Sequence, residues 1–281
     1  MLLTVAIFPG AHSVPVYQAL EAGHFATAGL DVTVREVTSS SEQLARWDRG
    51  ALHAVHTSAD HFVRGPRPVA ARLLRVEPVG ELVVHTRPGV APGEDATSLR
   101  WGVDDPDSGF AFVLRAIVEA RLGTAPAAAS LVTTGGTLQR LEALREGRVD
   151  GATLHSPFDV IAARAGLPRL GGHLEVAPDL VTNACFVRAD LGVADAYDAA
   201  LEAGRQDVLR GGPDRAAALL AGRGLAADRA TAAARGIFTD LGLPADPRPT
   251  RAGLDAVARL RRRFDPGFEP DPVLLDALLA R

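Results

Sequence analysis

Hydrophobic positions along the chain switch between two rhythms. Short apolar or alternating runs at residues 2–8, 31–37, 53–57, 69–76, 80–86, 100–104, 130–134, 150–154 and 180–188 predict β-strands. Amphipathic stretches with helical spacing lie between them, at 14–24, 41–50, 108–122, 137–147 and 156–165. From Val193 onward the helical period takes over, predicting a tail of four or five helices. Strands alternating with helices of this length imply parallel sheets covered on both faces, an α/β architecture. Boundary residues agree. Asp107 and Ser108 can cap the helix that Gly123 closes, and Thr137 opens the next one, which ends at Gly147. The stretch HTRPGVAPGEDATSL, residues 85–99, reads as a crossover between two domains, and Thr182 to Val187 as the point of return.

The opening MLLTVAIFPGAH could be an export leader or a first strand. Its apolar run is broken by Thr4, has no basic residue ahead of it and stops at Pro9-Gly10, so it reads as a buried strand. A cytoplasmic location is therefore expected for the sequence as it stands, or a periplasmic or extracellular one if a leader was removed. No run approaches the roughly 18 apolar residues of a membrane span, and a formal charge of −4 offers no basic field for nucleic acid. One cysteine, Cys185, rules out an intramolecular disulfide and a thiolate metal cluster. Every one of the 30 basic residues is Arg. Without Lys, Schiff-base chemistry and phosphate-cradling P-loops are excluded.

Four segments in order resemble the type II periplasmic binding proteins, in the branch for alkanesulfonates, nitrate, taurine and thiamine precursors. They are VPVYQALEAGHFATAGLDVTV, LARWDRGALHAVHTSAD, SLRWGVDDPDSGFAFVLRAIVEARLG and TLQRLEALREGRVDGATLHSPFDVIAARAG, together spanning about residues 1–190. The resemblance implies two α/β lobes, residues 1–85 plus 187–281 and residues 86–186, with a ligand cleft between them, a hinge and a helical C-terminal tail. Ligands of open α/β sheets sit beyond the carboxyl ends of the strands, so the loops there supply the candidate site.

Those loops offer His12, Ser13, Ser39, Ser40, Ser58, Asp60, His61, Ser108, Gly109, Thr134, Gly135, His155 and Ser156, with Asn183 on the return strand. Small hydroxyls and free N–H groups at helix starts can hold an anion without a buried cation, although Ser108 could equally serve as a plain cap. Asp60 could accept from an amine or cap its own helix. His12, His56, His61 and His155 all fall near predicted strand ends, and three of them could reach one cavity to orient a polar ligand or move a proton. No spacing sets them for a metal, and neither metal nor cofactor is expected. Phe110 and Phe158 could stack on a ring or belong to the core, Cys185 reads as a small buried hydrophobe, and Arg261-Arg262-Arg263 as a solvated helix face.

Three functions fit these residues. The first is a binding protein that delivers a small organic acid, sulfonate or polar heteroaromatic compound to an ABC permease. The resemblance also extends to enzymes on the same fold: a cofactor-independent lyase, dehydratase or decarboxylase with His12 or His61 as the proton-transfer group, or a thiamine-pyrimidine-type synthase, whose cysteine-rich motif is missing here. A cytosolic ligand sensor is the third.

Overall fold

The computed structural model describes residues 1–77, 80–238, 242–243 and 246–280. Its strands form two five-stranded sheets. The first has the order β2 (Asp31–Glu36), β1 (Leu2–Ile7), β3 (Ala54–Ser58), β10 (Asn183–Arg188), β4 (Ala71–Val76). The second has the order β7 (Leu131–Thr133), β6 (Trp101–Val103), β8 (Gly151–Leu154), β5 (Val83–Thr86), β9 (Arg169–Gly172). Neither sheet is wholly parallel, contrary to the expectation from strand–helix alternation. β10 runs antiparallel to β3 and β4, and β5 antiparallel to β8 and β9, because the two segments that join the lobes enter each sheet from the cleft side.

Alternation along the first sheet sorts its side chains into two cores. Leu3, Val5 and Ile7, with Ala54, Cys185 and Val187, meet α1 (Val14–Glu21), α8 (Ala194–Gly222) and α9 (Ala227–Ile237). Ala6, Val55, Ala184 and Phe186 point the other way, toward α3 (Ser40–Asp48), α4 (Asp60–Val63), α10 (Arg251–Phe264) and α11 (Pro272–Leu279). Period two thus makes a three-layer sandwich from one set of strands. In the second sheet Trp101 and Val103 pack with α5 (Gly109–Leu122), and Ala152 and Leu154 with α6 (Thr137–Arg145) and α7 (Phe158–Arg164). The short α2 (His24–Thr27) completes the helices. Each fully buried aliphatic or aromatic side chain contributes about 1.5–3 kcal/mol.

The tail follows the expected pattern, with one addition. α8 breaks at Gly212, whose φ of 70° is ruled out for most residues, next to Pro213. α10 then lies against both lobes: Leu254, Val257 and Ala258 join the first lobe's core, and Leu260 joins the second's.

The crossovers sit elsewhere than the sequence pattern suggests. Among the described residues β5 pairs with strands of the second sheet only and β10 with strands of the first only, so the chain changes sheets between β4 and β5 and again between β9 and β10. Sheet membership therefore moves β5, and with it most of 80–85, out of the first lobe expected at 1–85, and β10 from Asn183 into it. The Pro-Gly-rich stretch after Thr86 is a loop of the second lobe, pinned where Arg87 donates to Asp150 at 3.0 Å and Trp101 Nε1 to Ala96 at 2.8 Å.

Candidate functional site

The carboxyl ends of β1, β3 and β4 and the start of β10 lie on one edge of the first sheet; the ends of β6, β7 and β8 lie on one edge of the second. The two edges face each other and touch. A methyl group on Gly109, at the start of α5, would sit 2.7 Å from Asp60 Cβ and 3.2 Å from Ser58 Oγ. His12 and His155 meet edge to face with ring centroids 6.3 Å apart. Ser156 lies against Gly236 of α9 and Gly80 of the first crossover.

His155 is the hub of a ring cluster. Phe110 and Phe158 each stand 6.5 Å from it, at 71° and 78°. Its Nε2 is 2.7 Å from Thr137 Oγ1 and its Nδ1 is 3.1 Å from the Ser156 carbonyl. Behind it lies Arg140, buried, donating to the Thr153 and Gly135 carbonyls and to Thr137 Oγ1 at 2.7, 3.1 and 2.9 Å. Burial, helped by the charges of His12 and Arg140, lowers the His155 pKa to about 3.

His12 is different. It is 8% exposed, and its ring nitrogens make none of the hydrogen bonds found among the described residues. Burial takes its pKa to about 4, with Glu77 opposing the shift and His56 adding to it. Glu77 itself, on the first crossover, is 2.7 Å from His56 Nδ1, and His56 Nε2 is 3.0 Å from Tyr197 Oη.

A second set of groups joins the lobes through α10. Arg261, 4% exposed, donates to Asp60 Oδ2 at 2.9 Å on one lobe and to Asp107 Oδ1 at 2.5 Å on the other, and lies over the Phe112 ring. It is no part of a solvated face. Asp60 is no cap, because Ala59 holds the cap position of α4, and Arg261 takes one of its carboxylate oxygens. Its other oxygen is buried without a partner, and burial raises its pKa to about 6 despite the arginine. Ser58, Asp60, Gly109, Phe110, Thr182 and Arg261 border a cavity of about 10 Å³, room for one water molecule. A larger groove of about 330 Å³ is lined by Gly80, His173 and Asn183 of the crossovers and by Arg248 and Gly253, and His155, Phe110 and Phe158 are not among its lining.

The remaining candidates divide between the cleft and local duties. Ser13 is buried and donates to the Phe8 carbonyl, closing the loop after β1. Ser39 caps α3 by accepting from Glu42 N–H, and Ser40 begins that helix, half exposed. Ser108 caps α5 and donates to Asp104 at 2.7 Å, so its hydroxyl is spent while Gly109 reaches the opposite lobe. Thr134 extends the β7 ladder to Val103, and Gly135 gives its carbonyl to Arg140. His61 is held by Thr57 Oγ1 at 3.0 Å, with its pKa lowered by burial and by Arg64 and Arg67, and no ring contact joins it to His12. Asn183 pairs with Ser58 across the ladder and leaves Nδ2 buried without a partner.

Sequence reading missed Glu77, Arg140 and Arg261. For Arg261 the signal was there: Leu254, Val257, Ala258 and Arg261 fall at i, i+3, i+4 and i+7, the buried stripe of α10. Arg140 likewise falls in a buried stripe with Leu141 and Leu144. Among the described residues, no three His, Cys, Asp or Glu side chains are grouped to hold a metal ion, and no helix is long and apolar enough to cross a membrane.

No family model matches the chain, and no curated protein matches it in sequence. Solved structures do match. A protein from Bordetella bronchiseptica RB50 superposes with a TM-score of 0.78 at 18% identity, over 97% of this chain and 93% of that one. The periplasmic nitrate-binding protein of Synechocystis PCC 6803 gives 0.76 at 14% identity, over 99% and 84%. The fold is that of the periplasmic binding proteins. The ligand-binding component of an ABC-type import system from Staphylococcus aureus, with zinc bound, gives 0.75 at 14% identity, over 98% of each chain. In a periplasmic-binding-protein fold the cleft built above from strand ends occupies the space between the lobes.

Proposed function

We propose that the protein is a solute-binding protein of the ABC-importer type, which closes its two lobes on a small organic molecule and passes it to a permease. One observation carries this reading: polar strand-end loops from both lobes converge on one another, with His12 against His155, Ser58 and Asp60 against Gly109, and Ser156 against Gly236. Two lobes linked by two crossovers can hinge apart to admit a ligand and close to desolvate it. Loops that meet this way serve capture, and the nitrate- and import-system proteins of the same fold support the class. From the candidate set, His12, Ser58, Gly109, His155, Ser156 and Asn183 remain the residues for ligand contact.

A second reading, a cofactor-independent lyase, is favoured by His12 alone. A buried neutral imidazole with unspent nitrogens can serve as a general base. Native mass spectrometry of the purified protein, followed by incubation of any released compound with fresh protein, separates the two. Recovery of the compound unchanged supports the carrier. A product of altered mass establishes the enzyme and removes the carrier.

A further inference from the structure

The hydrogen bonds around His155 have only one consistent direction. The Ser156 carbonyl can only accept, so Nδ1 carries a proton. Arg140 can only donate, so Thr137 Oγ1 accepts from it and has its single hydrogen free for Nε2. A second proton on Nε2 would place an imidazolium in a half-buried site beside the Arg140 guanidinium and the His12 ring, with no carboxylate among its hydrogen-bond partners. The chain of donors therefore runs from Arg140 through Thr137 and His155 to the Ser156 carbonyl, and every polar atom of the His155 ring is used.

We infer that Arg140 and Thr137 are positioning residues that fix His155 as a neutral Nδ1–H imidazole, leaving His12 to read the ligand's polar edge in a cleft that selects uncharged compounds over oxyanions. The last part rests on the carrier reading. Two charge arrangements and a ring cluster carry it. Of the two buried arginines beside the cleft, Arg261 is paired with Asp60 and Asp107, and Arg140 spends its donors on carbonyls and Thr137 while Asp104 offsets its charge. Carboxylates border the same space: Asp60, with one unpaired oxygen, Glu77 beside His12, and Asp104 below the start of α5. The rings of Phe110, His155 and Phe158 present apolar surface and edges to whatever His12 holds.

Nitrogen-15 NMR of histidine-labelled full-length protein tests the assignment without any ligand. Near neutral pH, His155 is expected to give a protonated Nδ1 and a bare Nε2, a pattern that persists down to about pH 5, where ordinary histidines have charged. Thr137→Val should shift the Nε2 resonance, and Thr137→Ser, which keeps the donor, should restore it. A proton on Nε2 in the wild type, or an unchanged resonance in Thr137→Val, overturns the relay. Nitrate and methanesulfonate titrated to millimolar concentration should leave the His12 resonances in place. Saturable movement of His12 by either anion overturns the selectivity. The two readings fail separately: protein that releases no compound in mass spectrometry yet shows this tautomer loses the carrier role and keeps the relay.

Discussion

His12 and His155 face each other with unequal freedom, and that inequality decides what replacing each should do. His12 has nitrogens to offer, so His12→Asn should weaken binding of the compound released from the native protein about five- to thirtyfold, the loss of one hydrogen bond of about 1–2 kcal/mol. Melting should barely change. Isothermal titration checks this, and undiminished affinity would remove His12 from the ligand's contacts. Arg261 carries the opposite kind of prediction. Its removal in Arg261→Met strands the buried Asp60 carboxylate, and breaking a buried pair from one side costs about 3–5 kcal/mol. Urea unfolding should show that loss, with part of it recovered when Asp60→Asn is added. A loss under about 1 kcal/mol would mean that the pair is solvated in solution, as exposed ion pairs are.

At the scale of elements, α5 works from both ends. Its interior, Phe112, Leu114 and Ile117 among others, is buried in the second lobe, whereas its first residue is the point where that lobe meets Asp60. Gly109→Ala separates the two roles. Alanine favours the helix over glycine by up to about 1 kcal/mol, yet its methyl would collide with Asp60 Cβ when the lobes close. The expected result is unchanged or raised thermal stability, weaker ligand binding, and a larger radius of gyration by X-ray scattering; unaltered binding and size would place the closed contact elsewhere. Most elements of this kind could be read from the sequence, because β1, β3 and β8 are short runs buried nearly throughout and α5 is a long apolar-rich run opened by Ser108 and closed by Gly123. β9 could not. Arg169-Leu170-Gly171-Gly172 has no β-branched residue and gains strand form only from β5 beside it. The crossover was misplaced for a related reason: turn residues are common both in loops within a lobe and in links between lobes, and only pairing partners tell them apart. Ser13, Ser39 and Ser108 were found as strand-end hydroxyls, but which of them spend that hydroxyl on their own loop or helix depends on local geometry that residue type does not reveal.

Across the whole molecule, buried histidines set the response to acid. Burial lowers His12 and His173 to about 4 and His61 and His155 to about 3, from an ordinary value of 6.5. They lie in both lobes: His12 and His61 in the first, His155 and His173 in the second, where His173 Nδ1 accepts from Leu82 N–H. Because the folded values lie below the unfolded ones, the unfolded chain binds more protons between about pH 6.5 and pH 4, and stability falls as pH drops through that window. Asp60 works against this. Its carboxyl is raised to about 6, so the folded state takes up its proton first and gains as pH falls from about 6 to 4. Burial lowers His85 and raises Asp159 as well, so five imidazoles against two carboxyls leave the histidines in control, at about 1.4 kcal/mol per pH unit for each uncompensated proton. The melting temperature should therefore hold above about pH 6.5 and fall steeply toward pH 4, in both lobes together because α10 and its Arg261 bridge tie them. Differential scanning calorimetry across that range gives the answer: a constant or rising melting temperature would mean that these rings are hydrated in solution, and with them the cleft that His12 and His155 close.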